Sequence, residues 1–187
     1  MKYFAKVKLE CESDIRSWAI ADIYRQLEGG ILTKPQHKVY HLLPIYLREI
    51  VNGELASRGC PPVFYAQSYC RRAGNTQGIH IDGNDDFRDS AINIPLKGSV
   101  GSKHIFYEGK YTSEKTHFED LTFYKVNWQE TPRVADILYL DSPHIVRVNC
   151  PHSAMANPFE DRWIFTMRFQ ENPSFEELCT KLNSTVN

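Results

Sequence analysis

The hydrophobic positions near the N-terminus repeat at a helical spacing. Between residues 13 and 27 an apolar side chain recurs every four positions, at Ile15, Ala19, Ile23 and Leu27. Residues four apart lie on one face of a helix, so this stripe predicts an amphipathic helix with a single buried face. Gly29-Gly30 follows directly and predicts the end of that helix.

Two further segments carry helical signals. The stretch from Val39 to Val51 is mostly apolar and is predicted to be helical on either side of Pro44. The tail from Ser174 to Leu182 opens with a serine, and Glu177 follows three residues later. That pair is the capping-box pattern of a helix start, so the chain is predicted to close with a short helix.

From residue 63 onward the pattern changes to that of a β-rich protein. Short runs rich in Val, Ile, Phe and Tyr are separated by Gly, Asn, Asp and Pro about every ten residues. Many short strands at such spacing are typical of a sandwich or a barrel. The predicted strands are Val63–Cys70, Ala91–Leu96, Lys103–Tyr107, Leu121–Val126, Val134–Leu140, His144–Val148 and Arg162–Phe169.

The order of these elements predicts the domain organisation. A chain of 187 residues is long enough for one domain with a sizeable core. We expect a single, mainly β domain built on a double-stranded β-helix (a jelly-roll, cupin-like core) over residues 61–170. Residues 1–60 are predicted to form a helical N-terminal support, and residues 171–187 a C-terminal helix and tail.

Composition narrows the functional classes. Hydrophobic residues make up 42% and charged residues 24%, and the formal net charge is −1, so nothing directs the whole chain toward nucleic acid or a membrane. The N-terminus lacks the apolar run of a signal peptide, and no segment approaches the roughly 20 apolar residues of a membrane span. Five scattered cysteines without a C-x-x-C pair favour a reducing compartment, and we expect a cytoplasmic protein.

Candidate chemistry begins with His80 and Asp82. Residues two apart on an extended strand project from the same face, so both side chains can reach one metal while Ile79 and Ile81 face an apolar layer. Asp82 is followed by Gly83-Asn84-Asp85-Asp86, a loop-forming sequence, which predicts that the pair lies where a strand ends.

The downstream half of the pattern is a histidine and an arginine. His152 precedes a turn, and the strand from Arg162 to Phe169 follows. Alternation places Arg162 on the polar face of that strand and four large apolar side chains on the other. Two imidazoles and a carboxylate leave three positions of an iron open, the facial triad of non-haem Fe(II) oxygenases. A guanidinium holds a carboxylate through two parallel hydrogen bonds and suits a dicarboxylate such as 2-oxoglutarate.

The order H-x-D, then H, then R resembles that of the Fe(II)/2-oxoglutarate-dependent dioxygenases. Asp136-Ile-Leu-Tyr-Leu-Asp141, His152-Ser-Ala-Met-Ala-Asn157 and Asp161-Arg162 are most similar to the aspartyl/asparaginyl hydroxylase branch, which includes free-proline hydroxylases, and the strand Asn93-Ile-Pro-Leu96 is also similar to that group. The resemblance covers residues 65–169. It implies a hydroxylase that uses Fe(II), 2-oxoglutarate and O2, oxidises an unactivated C–H bond, and releases succinate and CO2.

The same resemblance implies the role of each motif residue. His80, Asp82 and His152 would ligate the iron, and Arg162 would hold the C5 carboxylate of 2-oxoglutarate. The gap between Asp141 and His152 is longer than this family leads us to expect, and it contains His144 as a competing ligand. We favour His152, because a short hairpin from His152 to Arg162 would bring both side chains to the same open end of the predicted β-barrel.

Other residues have candidate roles around this centre. Tyr69 and Asn93 are candidates for binding the cosubstrate, since each stands on a predicted strand that would face the interior. Arg71, Arg168 and His144 are candidates for contacting the substrate or the metal ligands. The remaining histidines lack partners at ligand spacing and are interpreted as structural or surface residues: His37, His41, His104 and His117.

The sequence leaves three functional hypotheses. The first is a hydroxylase that acts on an amino acid or on an amino-acid side chain of a protein. The second is an AlkB-like nucleobase demethylase, which the spacing of Arg162 and Arg168 would fit, although the net charge makes a nucleic-acid partner less expected. The third is a non-catalytic, cupin-like protein that binds a metal or a small molecule. Neither the substrate nor the oligomeric state follows from the sequence.

Overall fold

The computed structural model describes residues 2–28, 36–82, 89–118 and 121–183. Three helices are present among them: α1 (Glu12–Leu27), α2 (Ile45–Ser57) and α3 (Phe175–Asn183). The predicted N-terminal and C-terminal helices are confirmed. The predicted helix end at Gly29-Gly30 and the predicted loop at residues 83–86 lie outside the described residues.

Twelve strands account for most of the rest of the described chain. They are β1 (Phe4–Lys6), β2 (Gln36–His41), β3 (Val63–Arg71), β4 (His80–Asp82), β5 (Ser90–Lys97), β6 (Lys103–Glu108), β7 (Tyr111–Phe118), β8 (Leu121–Trp128), β9 (Arg133–Leu138), β10 (His144–Arg147), β11 (His152–Met155) and β12 (Arg162–Phe169). All seven predicted strands are found, with ends that differ by up to two residues.

The strands form two antiparallel six-stranded sheets. The first sheet has the order β1-β10-β5-β12-β3-β2, and the second has the order β7-β8-β4-β11-β6-β9. Consecutive strands often lie in different sheets, because the chain crosses repeatedly from one to the other. The predicted mainly β, jelly-roll architecture is confirmed by this arrangement.

The first sheet is covered by helices on one side and faces the second sheet on the other. Trp163, Phe165, Met167 and Phe169 of β12 pack in one hydrophobic cluster with buried residues of α1, α2 and α3. Ile164, on the opposite face, packs in a second cluster that includes residues of the second sheet. The two faces of β12 thus alternate as predicted, and its polar side chains point between the sheets.

The inner face of the first sheet is unusually polar for a buried surface. In register on β12 and β3, Arg162 is opposite Arg71, Thr166 is opposite Gln67, and Arg168 is opposite Tyr65. All of these except Tyr65 are buried. Buried polar groups are costly unless they find partners, so this surface has the character of a binding site rather than of a core.

The structure corrects the prediction of a helix on the N-terminal side of Pro44. Residues before Pro44 form the edge strand β2, which pairs with β3, and only the part after Pro44 is helical. The helical geometry is disfavoured for the residue before a proline, and Pro44 itself stands at the N-cap of α2. The N-terminal sixty residues therefore contribute β1 and β2 to the first sheet as well as two helices.

Strand β7 was not predicted. It pairs with β8 along its whole length, but its sequence, Tyr-Thr-Ser-Glu-Lys-Thr-His-Phe, is mostly polar. Because β7 itself is almost entirely exposed, no buried face imposes a hydrophobic alternation on it, and the periodicity that reveals the inner strands is missing there.

Candidate metal centre

Three side chains with metal-binding atoms meet between the two sheets. His80 and Asp82 lie on β4, and His152 opens the adjacent strand β11, directly opposite His80 in the antiparallel register. One potential ligand atom from each lies within 4.8 Å of the others. Asp82 Oδ1 is 3.2 Å from His80 Nε2 and 3.7 Å from His152 Nε2. Strand pairing thus unites residues about seventy positions apart in the chain.

Each histidine is held by a backbone carbonyl two residues before it. His80 Nδ1 is 2.9 Å from Gly78 O, and His152 Nδ1 is 2.9 Å from Cys150 O. A carbonyl only accepts, so each Nδ1 carries the proton and each Nε2 keeps its lone pair for a metal. Gln77, which the sequence did not suggest, donates its side-chain amide to this lone pair of His80 at 2.9 Å, so a metal bound there would replace the hydrogen bond.

The charge state of this cluster suits a cation. Burial lowers the pKa of His152 to about 4, so its imidazole is neutral at physiological pH. Burial alone would raise the pKa of Asp82, but the contact with His80 and the charge of Arg168 hold it well below its ordinary value. A carboxylate and two imidazoles are the donor set of a facial triad for Fe(II), and the three residues fit that group.

Arg168 contacts Asp82 on the side away from the histidines. Its guanidinium is 2.5 Å from Asp82 Oδ2, and it also donates to Ser90 O at 3.3 Å. The sequence offered Asp82 or a substrate carboxylate as the partner of Arg168, and the guanidinium contacts Asp82. Oδ1 is left toward His80 and His152.

His144 lies apart from these ligand atoms. It belongs to β10 in the first sheet, its Nδ1 is 2.8 Å from Ser142 O, and its ring meets Phe4 edge-on at a centroid distance of 6.0 Å. Among the described residues, the side chains placed so that they could hold a metal ion are His80, Asp82 and His152. The geometry therefore brings His152, and not His144, to the H-x-D pair.

Arg162 starts β12 in a buried position with unmet hydrogen-bonding capacity. Only 3% of its surface is exposed, and within the described chain neither Nε nor Nη2 has a hydrogen-bond partner. Burial and the charge of Arg71 lower the pKa of Arg162 to about 10, which still leaves it protonated at neutral pH. A buried guanidinium with two unused donors requires an anion, and the far carboxylate of 2-oxoglutarate fits this requirement.

The segment before Arg162 is tied to the end of β3. Asp161 accepts hydrogen bonds from Arg72 Nη1 at 2.7 Å and from the Ala73 backbone amide at 2.9 Å. Arg71 points inward opposite Arg162 and is buried, and this burial lowers its pKa to about 10. The two neighbouring arginines therefore have different positions. Arg72 pairs with Asp161 and is structural, whereas Arg71 lies in the interior with Arg162.

Tyr69 and Asn93 also occupy the inner face. Tyr69 is opposite Ile164 and packs against the inner hydrophobic cluster. Asn93 is buried on β5, in register with Thr166 on one side and His144 on the other. Both side chains were predicted to face the interior, and both lie on the inner face of the first sheet.

His104 was interpreted as a structural or surface residue, and the structure excludes the surface position. It is buried on β6, and its ring lies 4.9 Å from the ring of His152. Burial, followed by the charges of His152 and Arg162, holds the pKa of His104 well below its ordinary value. His104 became visible only through the pairing of β6 with β11, where it stands opposite Ala154.

Two more inner-face residues were missed by sequence reasoning. Gln67 is fully buried, and neither atom of its amide has a partner within the described residues; the Thr166 hydroxyl beside it is likewise unpaired there. Their only sequence signal was the alternation along β3 and β12.

Of the remaining histidines, His41 is buried against Asp22 and Ser68, and His117 is exposed. The side chain of His37 lies outside the described residues.

Comparisons with known proteins support the fold. No protein-family model and no curated protein matches the chain. Among solved structures it is similar to the epimerase SnoN in complex with Fe3+, alpha-ketoglutarate and nogalamycin RO, with a TM-score of 0.52 and 13% identity over 88% of this chain and 77% of that one. At this identity the likeness shows a shared double-stranded β-helix and no more.

Two other solved structures are similar at lower scores. A prolyl-4-hydroxylase from Pseudomonas putida has a TM-score of 0.47 and 14% identity over 89% of this chain and 90% of that one. The E. coli protein ycfD has a TM-score of 0.40 and 15% identity over 71% of this chain. The match spans only 33% of the length of ycfD.

No helix among the described residues is long and apolar enough to cross a membrane.

Proposed function

We propose that the protein is an Fe(II)- and 2-oxoglutarate-dependent oxygenase, with His80, Asp82 and His152 as iron ligands and Arg162 as the anchor of the cosubstrate. One observation carries the proposal. A three-residue donor set lies on the second sheet, and a buried guanidinium with unused donors lies on the inner face of the first sheet. A binding module that holds no cosubstrate would have no reason to bury the Arg162 guanidinium with unused hydrogen-bond donors.

The chain's own residues would prepare the site in three ways. The carbonyls of Gly78 and Cys150 orient the imidazoles, and Arg168 holds the carboxylate of Asp82. Arg162 supplies a fixed positive charge for the far carboxylate. The iron and its cosubstrate, when bound, supply the oxidation of a C–H bond by O2 with release of succinate and CO2.

The inner hydrophobic cluster supports an oxidative reaction by keeping water from the site. Phe106 and Leu138 of the second sheet and Ile164 of the first are buried there, close to the polar inner face. A dry, preorganised pocket confines a reactive centre to its substrate. The resemblance of the motif segments to the aspartyl/asparaginyl hydroxylase branch leads us to propose an amino acid, or an amino-acid side chain of a protein, as the substrate.

Metal stoichiometry tests the ligand assignment. Apoprotein dialysed anaerobically against Fe(II) should retain one equivalent per chain, and His80→Ala and His152→Ala should each lose most of it. His144→Ala is the matched control, because His144 is also buried and also bonded to the carbonyl two residues before it. Retention by His152→Ala together with loss in His144→Ala would contradict the proposed ligand set.

Cosubstrate binding tests the role of Arg162. Arg162→Met keeps much of the side-chain volume but has no donors, so the variant should retain the metal and lose 2-oxoglutarate binding. Arg72→Met is the control, since Arg72 pairs with Asp161 instead. Equal 2-oxoglutarate binding by both variants would contradict the role of Arg162 as the anchor, and absence of that binding in wild type would favour a cupin-like module whose ligand is a different molecule.

One observation favours a second candidate function. Arg162 and Arg168 are both buried on the same face of β12, the pair whose spacing fits an AlkB-like nucleobase demethylase. Salt-sensitive binding of single-stranded DNA or RNA would support that reading, because phosphate contacts release counterions. Absence of such binding at low salt would remove it.

A further inference from the structure

His104 lies beside the candidate metal centre without being part of it. Its ring stacks on Phe106 at a centroid distance of 4.9 Å and an interplanar angle of 10°, and it lies 4.9 Å from the ring of His152 at 34°. Only 6% of the residue is exposed. The ring therefore has a fixed position, packed on one face and adjacent to a proposed ligand.

One nitrogen of this ring has nothing to bond to in the described chain. His104 Nε2 is inaccessible to solvent and lacks a hydrogen-bond partner among the described residues. Its stacking partner, Phe106, offers no acceptor, and His152 Nδ1 is already committed to Cys150 O. Buried polar atoms without partners are rare and unfavourable in folded proteins. A histidine at this position is therefore destabilising unless a bound ligand supplies a hydrogen-bond partner for Nε2.

The position of His104 indicates which ligand that is. The residue contacts His152, and the Arg162 guanidinium is close enough to influence it electrostatically. His104 is therefore near both groups to which the proposed function attaches 2-oxoglutarate. The carboxylate beside the oxo group of 2-oxoglutarate is the strong acceptor at the metal end, where His104 lies against His152.

We propose, as an inference that rests on the proposed function, that His104 donates a hydrogen bond from Nε2 to the carboxylate adjacent to the oxo group of 2-oxoglutarate. His104 is then a third point of attachment for the cosubstrate, together with the metal and Arg162. It fixes the rotation of the cosubstrate about the axis that joins those two points.

Two substitutions separate the hydrogen bond from the packing. His104→Phe preserves a flat ring on Phe106 and removes the donor, whereas His104→Gln places an amide nitrogen near the position of Nε2. In Mn(II)-loaded protein the dissociation constant for 2-oxoglutarate, measured by equilibrium dialysis, should rise about ten- to a hundredfold in His104→Phe. It should return to within about threefold of wild type in His104→Gln, and Mn(II) affinity should not change in either.

The melting temperature of the apoprotein distinguishes a cosubstrate-binding role of His104 from a structural one, because the two roles predict opposite changes. His104→Phe removes an unpaired buried nitrogen, so its apoprotein should melt at or above the wild-type temperature while the stabilisation by added 2-oxoglutarate shrinks. A lower melting temperature with an unchanged response to 2-oxoglutarate would show that His104 is structural and overturn the inference.

A ligand that lacks the far carboxylate locates the contact. With 2-oxovalerate, His104→Phe should weaken binding by the same factor as with 2-oxoglutarate, whereas Arg162→Met should weaken only 2-oxoglutarate. If His104→Phe affects 2-oxoglutarate alone, the ring serves the far carboxylate and the assignment is wrong. If wild type binds neither ligand, the proposed function fails and the inference fails with it; if wild type and His104→Phe bind equally, only the inference fails.

Discussion

Arg168 and Asp82 form an ion pair across the two sheets, with the guanidinium 2.5 Å from Asp82 Oδ2. The arginine is buried on β12 of the first sheet, and the carboxylate ends the short strand β4 of the second. The pair connects the sheets at the point where the H-x-D motif leaves its strand. It gives Asp82 one oxygen committed to the protein and one directed toward the histidines.

Breaking this pair should destabilise the apoprotein. In Arg168→Met the carboxylate of Asp82 loses its cation, and we expect a loss of about 3 kcal/mol in the free energy of unfolding, measured by urea denaturation. Added Fe(II) should raise the melting temperature of this variant more than that of wild type, because the metal replaces the missing positive charge.

A double-mutant cycle provides the control. Asp82→Asn combined with Arg168→Met removes both charges, so the double variant should lose clearly less stability than the sum of the two single variants. Additive losses would mean that the two side chains contribute independently, and the ion pair would then have no role in holding Asp82.

Gly98 determines how closely the turn after β5 approaches the start of β12. Its φ is +63°, and a β-carbon built there would lie 2.0 Å from Asp161 O and 3.3 Å from the α-carbon of Arg162. Gly98→Ala must therefore displace the backbone that carries Arg162. We expect weaker 2-oxoglutarate binding with little change in metal affinity, and a stability loss larger than the roughly 1 kcal/mol of a left-handed non-glycine residue alone.

Gly74 is the matched control for that change. Its φ is +74°, and a β-carbon there would meet nothing within 4 Å. Gly74→Ala therefore carries the backbone strain without the overlap, and it should leave cosubstrate affinity unchanged. Equal losses of 2-oxoglutarate binding in the two variants would show that displacement of Arg162 is not the cause.

His41 should make the stability of the protein depend on pH. It is buried between Trp18 and Phe165, and burial lowers its pKa although the hydrogen bond to Asp22 opposes this. The unfolded chain then binds the proton more readily, so this contribution is present above the ordinary histidine pKa of about 6.5 and is lost as pH falls toward the folded value.

The measurement is urea unfolding of wild type and His41→Gln between pH 8 and pH 5. The stability advantage of wild type should shrink with falling pH, at no more than about 1.4 kcal/mol per pH unit. His117→Gln is the control, because His117 is exposed on β7. A constant difference between wild type and His41→Gln across this range would contradict the account.

Much of the fold was predictable because its buried elements carry strong periodicity. The alternation along β12 identified both of its faces, and the stripe along α1 identified its buried side. The capping box also forms: the Ser174 amide donates to Glu177 Oε2 at 2.8 Å, and the Glu177 amide donates to Ser174 Oγ at 3.1 Å. The edge strands β2 and β7 were missed because their pairing partners, rather than their own sequences, make them strands.

The candidate site was predictable only where local spacing carried information. His80 and Asp82 project together because they are two apart on a strand, and the face of Arg162 follows from alternation. His104 has no such signature, because it reaches the interior through a pairing between distant segments. Alternation along β3 gives the face of Gln67 but not its neighbour Thr166 on β12. The choice between His144 and His152 likewise depends on which sheet each strand joins.

The measurement that tests the central claim most directly is an anaerobic titration of the apoprotein with Fe(II) and then with 2-oxoglutarate. Chelation of the cosubstrate by iron gives a visible metal-to-ligand charge-transfer band, and no substrate is needed. The account predicts a saturable band that is present in wild type and in His144→Ala and absent in His152→Ala. Absence of the band in wild type, with neither metal nor cosubstrate retained, would contradict it and leave a β-rich binding protein.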